Sequence, residues 1–398
     1  MTNTFLVSAA CLASLILYLA AERRLLEKRR KAVELRIGVT GSRGKSSVTR
    51  LIAAGLREGG WNVMAKTTGS RPAVIFPDGS EEEIERPAAA SILEQKKILR
   101  LAARRGARAL VAELMSIGPE CLAAESGGII KPSVLVLTSV RLDHRKEMGR
   151  TKAEIARSLS AAIRPGATVF LPDEEHYPAF DEAARRTGAE IRRVAKPAGR
   201  DLMPEPGREF EANWRLAMAV TRFAGIPDEI ARRGMTAATP DLGAIRVWAL
   251  SVGSPPRAWR AVSLFAANDP ESALQALAKI RRIVPHAASR TVGLLNLRED
   301  REDRSWQWIE ALSRGMFDVF GRIVFIGDRP RAWSRKKDLR SRFGDHCLAI
   351  AERSPRGIMD RLEAAEKAEA LVVGLGNMAG PGRGLVELWE KEGIPVGS

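Results

Sequence analysis

Apolar and polar positions alternate along this chain in patterns that divide it. From Phe5 to Ala21 the run FLVSAACLASLILYLAA carries no charge, and it ends at ERRLLEKRRK, which holds Arg23, Arg24, Lys28, Arg29, Arg30 and Lys31. Such a run lies at the short end for a membrane span. Its positive charges follow the apolar stretch, whereas a cleaved leader carries them before it. The positive-inside rule then places everything past residue 22 on the cytoplasmic side. The alternative is a buried helix of a soluble domain, but no polar stripe breaks the run. The pattern therefore predicts a transmembrane anchor over 1–22 and a basic juxtamembrane helix over 23–34, suited to anionic lipid headgroups.

Past the anchor the pattern changes to short β-branched runs alternating with amphipathic stretches. Leu35–Val39, Ala109–Ala112, Val134–Leu137 and Thr168–Leu171 read as buried strands. Ser46–Leu56, Ile92–Arg104, Lys152–Ile163 and Asp181–Arg186 read as the helices between them. That alternation predicts a parallel α/β sheet. A stretch with Pro, Gly and Ser, Thr239–Gly253, holds a candidate boundary. Beyond it a second α/β series follows, with strands at Val292–Leu295, Arg322–Ile326 and Leu371–Val373, the last running into GLGNMAGPGRG. We expect two soluble domains, 35–247 and 248–398, with the nucleotide site on the first and at the cleft between them.

Composition narrows the function classes. At 398 residues the chain exceeds one domain of usual size. The formal net charge of +16 suggests an anionic partner. Nucleic acid is disfavoured, because no zinc-finger spacing occurs and two tyrosines cannot build an aromatic base platform. Cys11, Cys121 and Cys347 are odd in number and far apart, which argues against a disulfide framework or a metal cluster and fits a reducing compartment.

The sharpest local signal is Gly38-Val-Thr-Gly41-Ser-Arg-Gly44-Lys45-Ser46-Ser47, between a strand and a helix. Glycines permit close backbone approach, amide N–H groups point inward, and the helix N-terminus favours anions. Val39 stands where the strict phosphate-loop pattern has its first glycine. Thr40, Gly41, Ser42, Arg43, Gly44, Lys45, Ser46 and Ser47 are the candidate ATP-binding residues, with Lys45 reaching the terminal phosphates and Ser46 helping to hold Mg²⁺. A phosphate loop by itself does not name a reaction.

The wording TGSRGKSS resembles the first loop of the Mur ligase superfamily, and Lys66-Thr67-Thr68-Gly69 resembles its second. Ala112-Glu113-Leu114-Met115-Ser116 resembles the strand end that carries the metal carboxylate, and Asp143-His144 resembles the D-H motif. Asn213 resembles the adenine-side Asn and Arg246 the phosphate-clamping Arg. A narrower set occurs in order: RIGVTGSRGKSSVTRLI, AKTTGSRP, EQKK, ALVAELMSI, PDLGAIR, FAANDPESAL, NLREDREDR, FIGDRP and GLGNMAG. Together they resemble the ligase subunits of poly-γ-glutamate synthases, from about Ile37 to Gly380. Two departures stand out. The D-H motif continues as Arg145-Lys146, without its usual second carboxylate unless Glu147 substitutes, and the carbamylated Lys of several Mur ligases has no secure equivalent.

The resemblance implies an α/β fold with an N-terminal transmembrane helix, a Mur-ligase-like central phosphate-loop ATPase domain and a smaller Rossmann-like C-terminal domain. It implies an ATP-dependent amide ligase that activates a γ-carboxylate as an acyl phosphate and adds glutamate to poly-γ-glutamate. Lys45, Glu113, His144 and Arg246 are then the catalytic candidates. Ser46, Thr68, Glu113 and His144 are the metal ligands, for Mg²⁺ or Mn²⁺, and Asn213 and Arg246 complete the ATP site. Asn268, Asp269, Arg298, Asp300 and Arg301 are the substrate-side candidates. Blander readings exist: Glu113 as an ion-paired strand end, His144 as a core histidine, and the NLREDREDR run as a solvated loop. The expected location is the cytoplasmic membrane, single-pass. The expected partners are glutamate, the polymer and other membrane subunits, or further copies of this chain, since one helix cannot form a polymer channel. A folate-type or peptidoglycan-type Mur ligase and a tethered ATPase serving an export machine are the competing readings.

Overall fold

The computed structural model describes residues 2–69, 72–86, 90–196, 211–239, 246–267, 269–283 and 290–396. They form two compact units, the first ending at residue 239 and the second comprising the described residues from 246 onward. Arg246 and Val247 thus belong to the second unit, ahead of the expected border at 247–248. The cause is a hairpin: Arg246 opens β9 (Arg246–Val252) and pairs antiparallel with Ser263 at the end of β10 (Arg257–Ser263).

The chain begins with one continuous helix, α1 (Thr2–Lys31), so the expected anchor and basic helix are a single rod that stops three residues short of 34. It is the one described helix long and apolar enough to cross a membrane. Side chains from Phe5 to Leu19 stand exposed, whereas Leu26 and Arg30 are buried against the first unit. The Arg30 guanidinium donates to the carbonyls of Ile129 (2.8 Å) and Gly128. An Arg held on carbonyls at the C-terminal end of a helical segment is favoured by the local dipole as well as by the bonds.

The first unit's sheet is built from β1 (Leu35–Thr40), β2 (Val63–Thr67), β3 (Ala73–Ile75), β4 (Glu81–Glu83), β5 (Ala109–Glu113), β6 (Val134–Leu137), β7 (Thr168–Pro172) and β8 (Glu190–Val194). Their order is β4-β3-β2-β5-β1-β6-β7-β8, with β3 and β4 antiparallel at one edge and the other strands parallel. β1 is buried over its last four residues between β5 and β6, as a strand covered on both faces must be. One face is covered by α2 (Lys45–Glu58) and, later in the chain, Glu211–Phe223 and Asp228–Ala237, around Ile52, Leu56, Trp214 and Leu216. The other face is covered by the end of α1, by α3 (Glu94–Arg104), α4 (Pro119–Ala123) with the π-helical segment Ala124–Ile130, and by helices Lys152–Ser160 and Pro178–Thr187. Parallel strands with helices on both faces leave their carboxyl ends as one open edge, where ligands of such sheets bind.

The second unit's sheet adds β11 (Arg290–Leu297), β12 (Arg322–Gly327), β13 (Cys347–Ala349), β14 (Ala370–Gly376) and β15 (Ile394–Pro395), in the order β13-β12-β11-β14-β10-β9-β15. Cys347 is 5% exposed and burial pushes its thiol pKa up to about 11, whereas Cys121 is exposed. Since the thiolate is the nucleophile, alkylation at mildly alkaline pH is expected to be at least ~100-fold slower at Cys347 than at Cys121 in the native protein. Mass spectrometry of a time course measures this; equal rates would show that β13 is not packed as described.

Candidate active site

The phosphate loop joins β1 to α2 along the carboxyl edge of the first sheet. Gly41 and Gly44 take φ of +132° and +82°, conformations that cost a side chain little only when there is none. Space matters as much: a Cβ on Gly41 would lie 2.3 Å from Thr138 Oγ1, and one on Gly44 would lie 2.4 Å from Asn213 Oδ1. Asn213, the expected adenine-side residue, is therefore packed directly on the loop's backbone. The loop is held from the neighbouring β6 end as well. Ser42 N donates to Ser139 O (2.8 Å), Arg43 N to Ser139 Oγ (3.0 Å), and Thr138 Oγ1 to Arg43 O (2.5 Å). Lys45 opens α2, and its ammonium donates to Gly41 O at 2.8 Å, curling over the loop it would share with a phosphate.

Glu113, at the end of β5, is 2% exposed. Its Oε2 accepts from the Ser46 hydroxyl (2.7 Å) and from the Thr68 main-chain N–H (2.7 Å). Three of the expected metal-site residues thus meet at one carboxylate oxygen, although Thr68 does so through its backbone. A Cβ on Gly69 would sit 2.7 Å from Ser46 Oγ, so the glycine keeps the space beside that hydroxyl open. Hydroxyl and carboxylate oxygens in a crevice of this kind suit a hard divalent cation.

The D-H motif sits on the loop after β6. Asp143 is buried, pairs with the Arg43 guanidinium at 3.0 Å, and accepts from the His144 N–H at 2.9 Å. His144 takes φ of +49°, with its Nε2 3.8 Å from Asp143 Oδ2. Among the described residues no group of three or more His, Cys, Asp and Glu side chains gathers as a metal centre. Glu147, the expected stand-in for the missing carboxylate, is exposed.

Several groups around the site were not among the expected functional residues. Gln95 is fully buried, donating to Glu113 O (2.9 Å) and to Glu125 Oε1 (2.6 Å). Glu125, also fully buried, accepts from Met115 N (3.0 Å) and Ser116 N (2.9 Å). Together they clamp the backbone that follows Glu113. Lys66, buried on β2, pairs with Glu94 at 3.2 Å. Burial holds its ammonium below the usual lysine range, while Glu94, Glu125 and Glu113 oppose that shift. The motif EQKK marked Glu94 and Gln95 in the sequence, but nothing local marked Glu125, which lies in AESGGII. Replacing Glu125 with alanine would take the acceptor from the partly buried N–H groups of Met115 and Ser116 and one of two acceptors from the buried Gln95 amide. We expect a fall in the melting temperature of about 5–15 °C, and a smaller one for Glu125→Gln, which keeps an acceptor. Thermal unfolding in detergent checks this, and a shift under about 2 °C for the alanine variant would show that the clamp contributes little.

The remaining expected residues fall on the second unit. Arg246 pairs with Glu390 on the helix Pro381–Glu392. Asp269 is buried and caps the helix Pro270–Ile283, accepting from Ser272 N (2.9 Å) and Ser272 Oγ (2.7 Å). Arg298 and Asp300 form a two-bond pair with each other (2.8 and 2.6 Å), and Arg301 precedes the helix Glu302–Ser313. Asn268 lies outside the described residues.

Residues 39–210 match the Mur ligase middle domain, and residues 250–392 match the poly-gamma-glutamate synthase CapB C-terminal domain. PGA synthase CapB of Bacillus subtilis (strain 168) is 30% identical over 96% of this chain and 97% of its own length. Among solved structures, E. coli FolC in complex with ADP is similar at a TM-score of 0.68 and 17% identity, over 96% of this chain and 97% of that one. A bifunctional folylpolyglutamate synthase/dihydrofolate synthase with Mn, AMPPNP and L-glutamate bound is similar at a TM-score of 0.66 and 16% identity, over 92% of each chain. With a full-length relative on one side and the phosphate-loop α/β unit on the other, the chain belongs to the CapB family of poly-γ-glutamate synthases, within the Mur ligase superfamily.

Proposed function

We propose that this protein is the ADP-forming ligase that extends γ-linked glutamate chains. The observation that carries the proposal is the convergence of Ser46, Thr68 and Glu113 beside the phosphate loop, in a chain of this family. A carboxylate does not condense with an amine at neutral pH until one of its oxygens becomes a leaving group. A γ-carboxylate oxygen therefore attacks the γ-phosphorus of ATP, ADP departs, and an acyl phosphate forms. The amine of the incoming glutamate then adds to the acyl carbon, a proton leaves the nitrogen, and the C–O bond to phosphate breaks.

Each step concentrates negative charge that this edge is built to meet. The amides at the start of α2 and the Lys45 ammonium face the phosphates, and fixed donors of this kind lower a barrier without reorganising. Ser46 and Glu113, with His144 as a further candidate, would hold Mg²⁺, which supplies charge neutralisation on the phosphates. The Asp143–Arg43 pair ties the phosphate loop to the loop after β6, and the clamp of Gln95 and Glu125 braces the segment that follows Glu113. On the second unit, Arg298 and Arg301 would offer guanidinium groups to a polyanionic acceptor. Neighbouring folds solved with ADP, with AMPPNP and Mn, and with L-glutamate support an adenine nucleotide, a divalent cation and glutamate as the ligands. The apolar start of α1 supports single-pass attachment to the cytoplasmic membrane, where other subunits or further copies of this chain would move the polymer out.

The test is ADP release by membranes holding this chain and its native membrane partners, given ATP, Mg²⁺ and glutamate, with and without added poly-γ-glutamate. Glutamate-dependent ADP release with new polymer supports the ligase. Steady ATP hydrolysis indifferent to glutamate would overturn it and favour a tethered ATPase.

A further inference from the structure

The path of α1 along the first unit carries information about which edge of the sheet meets the bilayer. At its lower end α1 runs into β1, and Arg36 at the start of β1 donates to the carbonyls of Arg30 (2.8 Å) and Val33 (2.7 Å). Lys131, in the loop before β6, pairs with Glu27 at 2.7 Å. These contacts lie at the amino ends of the strands. Five residues before Glu27, Glu22 pairs with Lys96 on α3 at 2.6 Å. Lys96 adjoins Gln95, which donates to the carbonyl of Glu113 at the carboxyl end of β5. From Glu22 to Lys31 a helix rises about 14 Å, and from Ala109 to Glu113 a strand rises about 13 Å. The charged part of α1 therefore spans the depth of the sheet, antiparallel to its strands, and the apolar run begins where the carboxyl edge ends.

The same contacts order α3. Lys96 lies beside Glu22, and Arg100 and Arg104 lie within electrostatic reach of Arg29, so α3 runs parallel to α1. Its first turn points the way the apolar run points. Leu93, three residues before Lys96, is 53% exposed and stands about one helical turn beyond that ion pair, level with Leu19. Behind it Lys97, Arg100 and Arg104 are exposed, as are Arg23 and Arg24 on α1.

We infer that the edge bearing the phosphate loop, Ser46 and Glu113 faces the bilayer, and that Leu93 with Lys97 and Arg100 behind it forms a second contact with an anionic lipid surface. This rests on the reading of α1 as an anchor. An apolar tip dips into the interface while Lys and Arg meet phosphates, the arrangement by which peripheral helices hold membranes. Two contacts fix the unit's orientation where one helix leaves it free to swing, and the amide bond is formed at the membrane surface.

The experiment uses the full chain in vesicles of phosphatidylcholine with phosphatidylglycerol. Cys11→Ser and Cys121→Ser leave only the buried Cys347, and a nitroxide is placed by Leu93→Cys or, separately, by Arg104→Cys. Relaxation by oxygen, which partitions into lipid, is compared with relaxation by a water-soluble nickel chelate. We expect the label at 93 to be favoured by oxygen and the label at 104, about 16 Å farther along α3, to be favoured by nickel. Lys97→Ala and Arg100→Ala should each weaken the lipid-bound state of the 93 label about fivefold, and pure phosphatidylcholine should weaken it further. A chain that fails to float with vesicles overturns the anchor and this inference with it. A chain that floats with its 93 label in water, or with its 104 label in lipid, overturns the orientation alone.

Discussion

Replacing Lys45 with alanine is expected to lower glutamate-dependent ADP release by on the order of 10³-fold while leaving the protein folded. The side chain opens α2, is only partly buried, and makes its described bond to Gly41 O within its own loop. Little packing is lost with it, so the melting temperature should move by no more than about 2 °C. In the proposed reaction, what disappears is the positive charge that would sit where the β–γ bridge breaks. Lys45→Arg should recover little, because a planar fork does not fit a space shaped for a point charge. Residual activity above about a tenth of the parent's would remove Lys45 from the chemistry and leave the loop amides alone in the role.

Glu113 offers the second large effect, and two substitutions separate its roles. Glu113→Gln keeps the size and one oxygen that can still accept from Ser46 Oγ and Thr68 N. It removes the charge a divalent cation needs, so activity should fall on the order of 10³-fold with stability nearly held. Glu113→Ala loses the charge and also strands a buried hydroxyl and a backbone N–H, costing about 1–3 kcal/mol for each. The pair is read by ADP release, by thermal unfolding and by Mn²⁺ titration in the presence of nucleotide. A glutamine variant with full activity and unchanged Mn²⁺ affinity would show that Glu113 only pins the loop.

Much of the first unit is legible in the sequence, for local reasons. The phosphate loop announces itself because glycines at 41 and 44 and a lysine at 45 must follow a strand and open a helix in contiguous sequence. The central strands β1, β5, β6 and β7 are short β-branched or apolar runs, which is what burial on both faces selects. By contrast, β2 reads VMAKT with a buried lysine, and β4 is three exposed glutamates, so neither shows an apolar pattern. The hairpin of β9 and β10 is rich in Arg and Trp, and its pairing moved the unit border ahead of Arg246. Asp269 looked like a substrate residue and has a helix-capping bond set that explains its burial.

The sequence by itself determined the phosphate loop, the parallel α/β character, the apolar N-terminal helix and, through motifs in order, the family. Each of these depends on neighbours in the chain or on periodicity, which a linear string preserves. Only the tertiary structure decided that Ser46, Thr68 and Glu113 share one carboxylate oxygen. It also decided that Glu125 and Gln95 brace the strand end beside them, and that Arg30 locks a continuous α1 onto the carbonyls of Gly128 and Ile129. Those partners stand tens of residues apart, and a buried polar group finds its partner through the packing of the sheet and its helices, which no local pattern encodes.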